Sequence, residues 1–197
     1  MVKAKRNKGH GKWWWIGSIA FIVIIALWIG GTYNSLVGLD EGVDNAWGKV
    51  QSAYQRRADL IPNIVQTVKA YTDYEGPLLK DITEARASVG RAGTPKELAA
   101  AGGAMDSAIS RLLVTVENYP DLKASENFLS LQDELAGTEN RVKVERDNFN
   151  NAVKGLNVKT RRFPSNIIAG WFGFEEKEYF ESEEGADKAP EVGEMFA

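Results

Sequence analysis

The sequence predicts an all-α protein: one N-terminal transmembrane helix, an antiparallel bundle of long helices, a short C-terminal apolar segment and an acidic tail. Three observations carry this expectation. Residues 13–39 contain no charged side chain, whereas residues 1–12 hold five cations (Lys3, Lys5, Arg6, Lys8 and Lys12) and no anion. Beyond Tyr33, apolar residues recur at helical spacing almost throughout. Phe128, Leu135, Val142, Phe149, Leu156 and Phe163 then follow one another in strict seven-residue steps. No alternating strand run and no internal repeat of fixed period competes with these patterns.

The basic tail at 1–12 leads into a membrane segment at 13–33. Trp13, Trp14 and Trp15 open it, Trp28 and Tyr33 lie toward its other end, and Ile22–Ile25 and Leu27 fill the middle. Trp and Tyr suit the headgroup zone because one ring satisfies both an apolar and a polar neighbour. Eighteen residues from Trp15 to Tyr33 rise roughly 27 Å as helix, close to the hydrocarbon thickness of about 30 Å. The basic flank places the N-terminus in the cytoplasm and the helical domain outside it. A cleaved signal peptide is the competing reading. The length of the run, and Trp28-Ile29 where small residues are wanted, favour a retained anchor.

The bundle domain is expected over 34–174. Its first helix, from about 34 to 74, carries Leu36, Leu39, Val43, Ala46, Val50, Ala53, Leu60, Ile64 and Tyr71 as a stripe. Pro62 removes the bond to the Ala58 carbonyl, yet the apolar phase continues across it, which predicts a kink without a break. Gly76-Pro77 turns the chain. A shorter helix follows with Leu78, Ile82, Ala85 and Val89 on one face. Thr94-Pro95-Lys96-Glu97 then reads as a helix start with a capping box. Leu98, Met105, Leu112 and Tyr119 fall at seven-residue intervals along that helix until Tyr119-Pro120 ends it.

The last long helix bears the seam Phe128 to Phe163. Its intervening positions are mixed (Leu131, Thr138, Glu145, Ala152, Lys159), so the seam suits one edge of a bundle better than a lone two-stranded coiled coil. Pro164 stops the helix. The segment 166–174, with Ile167, Ile168, Trp171, Phe172 and Phe174, is apolar enough to pack under the bundle end or to dip into a membrane interface, and core packing is the expectation. Residues 175–197 are acidic and poor in bulky apolar side chains, hence mostly flexible or loosely docked.

Composition excludes much chemistry. Without the five tail cations, the chain has 19 Lys and Arg against 27 Asp and Glu. So acidic a domain argues against nucleic acid as partner; the basic tail suits anionic lipid. Cys is absent and His10 is the only histidine. Thiolate nucleophiles, Cys/His metal sites and a histidine general base are therefore excluded from the main domain. Neither an Asp-x-Asp-x-Asp-Gly loop nor a Glu-x-x-His pair occurs, so no metal and no cofactor is expected, and the carboxylate clusters read as solvated charge.

Two polar clusters remain as candidates. Arg56, Asp59 and Asn63 can share one helical face, while Arg57 falls on the apolar stripe. A buried guanidinium needs a partner, and Glu139 or Glu145 of the last helix are the expected carboxylates. An internal ion pair fixing helix register is the simpler reading of this patch; a ligand-binding or partner-docking site is the alternative. Tyr119, with Glu126 and Asn127, marks a corner between helices, where Tyr119 would cap the core and the other two would tie down backbone groups. The alternative there is a recognition loop.

Arg56-Arg57-Ala58-Asp59-Leu60-Ile61-Pro62-Asn63, Tyr119-Pro120-Asp121-Leu122-Lys123-Ala124 with Glu126-Asn127-Phe128, and Phe163-Pro164-Ser165-Asn166 leading to Ala169-Gly170 and Gly173-Phe174 resemble the LemA family. Tyr33-Asn34 and Gly137-Thr138-Glu139-Asn140-Arg141 match as well. The resemblance spans about 33 to 180 in the right order. It implies one membrane helix and an antiparallel helical bundle, with no settled reaction. Where the family often has Tyr-Asn pairs late in the last long helix, this chain has Phe149-Asn150 and Leu156-Asn157, and Ser125 stands where the family commonly carries Asn. Keeping the apolar seam without the hydroxyls favours packing at those positions.

The resulting expectation is a non-enzymatic, single-pass cell-membrane protein whose helical domain binds other membrane or envelope proteins. Its binding face would join the Arg56–Asn63 region to the corner at Tyr119–Asn127. An adaptor to a membrane protease or envelope-stress system is the alternative, a hydrolase resting on carboxylates and Lys a remote one. Lateral self-assembly into a homo-oligomer stays open.

Overall fold

The structure, a computed structural model, describes residues 10–71 and 77–180. Among them seven helices follow one another without a strand: α1 (His10–Ala58), α2 (Ile61–Tyr71), α3 (Pro77–Val89), α4 (Pro95–Val116), α5 (Pro120–Lys123), α6 (Glu126–Arg161) and α7 (Ser165–Phe172). The all-α expectation holds. Residues 1–9 of the basic tail, Gly76 of the expected turn and residues 181–197 of the acidic tail lie outside the described residues. The described residues form two compact units, 10–42 with 155–177, and 43–71 and 77–154 with 178–180.

In the first unit, α1 carries the charge-free stretch. Its most apolar window has a mean hydropathy of 2.0, and only 6 % of it is buried within the chain. By length and composition this helix can cross a membrane. Burial begins at Thr32 and Leu36, against the C-terminal part of the unit. There α6 ends at Arg161, and the Ser165 hydroxyl donates to the carbonyls of Lys159 and Arg162 at 2.7 Å. Phe163, the sixth residue of the seven-residue series, is 77 % exposed, which corrects the expected seam. The phase of a seam has meaning only while the helix lasts, and Pro164 biases Phe163 out of helical geometry.

The segment after it corrects a second expectation. Ser165, Ile168 and Ala169 of α7 are buried, but Ile167, Trp171 and Phe172 are exposed, so this helix is only half packed. Gly173 ends it at φ 75, a left-handed conformation that only glycine adopts without strain, with its N–H donating to the Ala169 carbonyl.

In the second unit, α1 from Val43 to Ala58 runs antiparallel to α6: Trp47 meets Phe149, and ten residues on, Arg57 meets Glu139. Within this unit α3 packs on α4, α2 on α3 and α5, and α4 on α5. Val50, Ile64, Ile82, Leu98, Met105, Leu112, Leu122 and Phe128 are fully or almost fully buried. The expected stripes of α3, α4 and α6 thus supply the core, with Thr138 and Glu145 buried beside the α6 seam. Near Pro62 the expected kink is instead a break. Leu60 N–H bonds the Arg57 carbonyl at 3.2 Å, and α2 starts afresh at Ile61 with Pro62 in its first turn. Proline is tolerated there because that N–H would lack an intrahelical partner anyway. Ala58, Ile61, Ile64 and Val68 stay buried, so the apolar phase survives the break.

The start of α4 is capped as expected: Thr94 Oγ1 accepts from Glu97 N–H at 3.2 Å, and the Glu97 carboxylate accepts from the N–H groups of Gly93 and Thr94. These bonds, that from Gly93 foremost, hold the Glu97 carboxyl below its ordinary range. A lowered carboxyl pKa contributes stability above the unfolded value and loses it as pH falls through the folded one. The stability gap between the parent chain and Glu97→Gln should therefore close in acid, read by thermal melting across pH. Thr94→Ala should cost about 1 kcal/mol in the same assay.

On α4, Gly102 faces the ring of Tyr54, and a Cβ there would stand well inside van der Waals contact. Gly102→Ala should destabilise by about 1–3 kcal/mol despite its better helix propensity, because the buried Tyr54 ring must move. An unchanged or raised melting temperature would mean that the ring yields freely. At the next corner, Ser125 does the capping expected of Glu126 and Asn127: its hydroxyl donates to the Leu122 carbonyl and accepts from Phe128 N–H. Its short side chain reaches back one turn, while Glu126 and Asn127 lie exposed.

Candidate functional site

The second unit holds an ion pair and an open groove at the polar patch around Arg56 and Arg57. Arg57 sits on the inner face of α1 with its side chain 4 % exposed. Its Nη1 pairs with Asp106 of α4, and its Nη2 reaches Glu139 of α6 at 3.4 Å. Three helices are tied through one guanidinium. Glu139 was an expected partner; Asp106 was not. Glu145 is instead held by Arg141 one turn earlier at 3.3 Å and accepts from Asn148 at 3.2 Å. Asp106 follows Met105 at the flank of the buried α4 stripe, and that position was the available signal. Spacing within one helix cannot say which other helix faces it.

Arg56 points the other way. With Asp59 it lines an open groove of about 980 Å³ between the end of α1 with the turn after it (45–60) and the α6 stretch 134–145. Lys49, Arg56 and Arg141 stand there against Asp59, Glu134 and Glu145, over a floor of Gly48, Ser52, Ala53, Gly137 and Thr138. Small residues keep that floor low because they project no bulk between the helices. Asp59 accepts from Gln55 at 2.8 Å and faces Arg86 of α3 at 3.8 Å. The walls thus offer both signs of charge. No three His, Cys, Asp or Glu side chains come together to hold a metal among the described residues.

The other candidates are not drawn into this groove. Asn63 is exposed on α2, Tyr119 is half-buried at the α4–α5 corner, and Glu126 and Asn127 begin α6 in solvent. None of the four lines the groove with Arg56. At the corner, Lys123 pairs with Glu117 at 3.4 Å, an exposed contact of little energetic weight.

Lys177 and Phe180, counted with the flexible tail from composition, are each held by an asparagine of α6. In the second unit, Asn150 donates from Nδ2 to the Phe180 carbonyl at 3.0 Å and accepts from the Phe180 N–H at 2.8 Å. In the first unit, Asn157 grips Lys177 in the same two-bond manner, both at 2.9 Å. Phe180 itself is buried against Tyr54, Trp47 and the guanidinium of Arg146, with ring centroids 6.1 and 6.5 Å apart and the guanidinium 4.5 Å away. The Phe149-Asn150 and Leu156-Asn157 pairs were visible in the sequence. Their aromatic or aliphatic members pack; their amides act.

Fold and site together define an all-α protein with one helix able to span a membrane and a mixed-charge interhelical groove. The model of the LemA family matches residues 46–193, and the chain belongs to that family. It is similar to magnetosome protein MamQ 1 of Paramagnetospirillum magneticum, 23 % identical over 195 aligned residues covering 86 % of this chain and 70 % of the relative. Magnetosome protein MamQ of Magnetospirillum gryphiswaldense matches to the same extent. Protein LemA of Metamycoplasma hominis is 28 % identical over 160 aligned residues, covering 76 % of this chain and 72 % of the relative.

Proposed function

We propose that this chain is a membrane-anchored, non-enzymatic interaction protein: residues 13–33 cross the bilayer, the basic tail stays in the cytoplasm, and the groove along Arg56 and Arg141 docks a polar protein segment. The observation that carries the reading is the unburied, charge-free stretch of α1, whose Trp13, Ile16, Phe21, Ile24 and Leu27 are each more than half exposed. Water cannot solvate such a helix at low cost; lipid can. The groove supports docking over catalysis because its three cations are balanced by three carboxylates, and no nucleophile–base pair is seen among its lining residues.

Protease shaving of intact cells, with epitope tags at each terminus, tests the anchor and its sidedness together. The C-terminal tag should be lost and the N-terminal tag protected, with the protein resisting alkaline extraction from membranes. Extraction into the soluble fraction would end the proposal. For the groove, a photo-crosslinker at Ser52 should give one discrete adduct that Arg56→Glu with Arg141→Glu abolishes.

A further inference from the structure

We propose that α7 is a second membrane contact: its aromatic face lies in the headgroup–acyl boundary beside the transmembrane segment. This rests on reading residues 13–33 as a bilayer span. Within the first unit, α7 buries Ser165, Ile168 and Ala169 and turns Ile167 (42 % exposed) and Trp171 (69 %) outward, four residues apart on one face. Phe163 just before it and Phe172 at its end add 77 % and 53 % exposed aromatic surface. So many large apolar side chains on one short segment are unusual for a surface facing water.

Its position names the occupant. The Phe172 ring lies 4.7 Å from Tyr33 and the Phe174 ring 5.8 Å from it, and Trp28 and Thr32 line one cavity with Phe163 and Pro164. Trp28 and Tyr33 lie toward the aromatic end of the span 13–33, so the α7 surface is continuous with the surface lipid must cover. Arg161 and Arg162, both exposed, adjoin it. Apolar rings on one side with cations at the rim is the pattern of an interfacial helix, and Trp is the residue best suited to that depth. Lipid is therefore the occupant that needs no further protein.

The chain has no cysteine, so single-cysteine variants of the full-length protein report position directly. Ile167→Cys and Trp171→Cys would be labelled with an environment-sensitive fluorophore in phosphatidylcholine vesicles containing a minority of phosphatidylglycerol. Ile22→Cys serves as the reference within the span and Leu129→Cys, at an exposed site of the second unit, as the reference in water. Shallow spin-labelled lipids should quench the labels at 167 and 171 several-fold more than at 129, with iodide showing the opposite order. Labels at 167 and 171 as open to iodide as the one at 129, with 22 still quenched by deep lipid probes, would overturn the proposal and leave the span intact. Protection from iodide without lipid quenching would also overturn it, because a second copy of the chain would then cover the face. Failure of lipid quenching at 22 would sink the span, and this proposal with it.

Discussion

Asp106→Ala should destabilise the helical unit by about 3 kcal/mol, while Arg57→Met costs half of that or less. The asymmetry follows from burial. Arg57 is almost wholly enclosed, whereas the side chains of Asp106 and Glu139 are 39 % and 67 % exposed. Removing Asp106 strands a guanidinium where water does not reach, and breaking a buried pair from one side costs about 3–5 kcal/mol. Glu139, at 3.4 Å, compensates in part, which sets the lower end of that range. Removing Arg57 leaves carboxylates that water can solvate, and methionine fills much of the space. Glu139→Gln should cost under about 1 kcal/mol, because Glu139 is largely solvated, its contact is long and Asp106 still neutralises Arg57. The double variant with Arg57→Met and Asp106→Ala should recover most of the Asp106→Ala loss. Thermal melting of the detergent-solubilised chain reads the series, with roughly 10 °C expected for Asp106→Ala. A larger loss for Arg57→Met than for Asp106→Ala would refute the burial argument.

Phe180→Ala should cost about 3 kcal/mol and release the backbone at residue 180 from α6. The ring is 2 % exposed and stacked on Tyr54, and truncating such a side chain loses both transfer free energy and packing. The Arg146 guanidinium over its face adds an attraction of about 1 kcal/mol. Asn150→Ala removes both bonds to the Phe180 backbone and should cost about 1–3 kcal/mol. The two substitutions should be far from additive, since either one undocks the group the other holds. Hydrogen exchange decides the matter locally: the Phe180 amide should be protected in the parent chain and exchange fast in both variants. Equal protection in all three would mean that Asn150 does not hold the segment.

The apolar seams were legible in the sequence because helical packing repeats. Phe128 through Leu156 needed only their spacing, and all five are buried as expected. Thr94 and Glu97 were equally legible, because a capping box is closed within four residues. The break at Asp59–Leu60 was not. Pro62 announces a lost hydrogen bond, but whether the helix bends or restarts depends on how the flanking turns pack. Phe163 shows the limit from the other side: the seven-residue count reaches it, and the helix does not.

The candidate patch divided along the same line. Arg57 was marked as buried by its place on the stripe, and Glu139 as a partner by the need for a carboxylate on a neighbouring helix. Asp106 lies 49 residues further along, and only the approach of α4 to α1 brings it to Arg57. Tyr119, Glu126 and Asn127 shared polarity with Arg56 but not its groove. Asn150 and Asn157 were noted for the apolar residues they follow, Phe149 and Leu156, and their grip on residues 180 and 177 depends on residues far along the chain.

What the sequence by itself determined is therefore periodic or compositional: a charge-free stretch fit for lipid, helices with one apolar face, and an absence of cysteine that leaves no thiol chemistry. These follow from solvation and from the 3.6-residue turn, which act on near neighbours along the chain. The tertiary structure decided which charges meet, which stretch of the C-terminal segment is gripped, and which aromatic rings of α7 remain uncovered. Those outcomes depend on distances between residues far apart in sequence, and no local pattern encodes a distance across the fold.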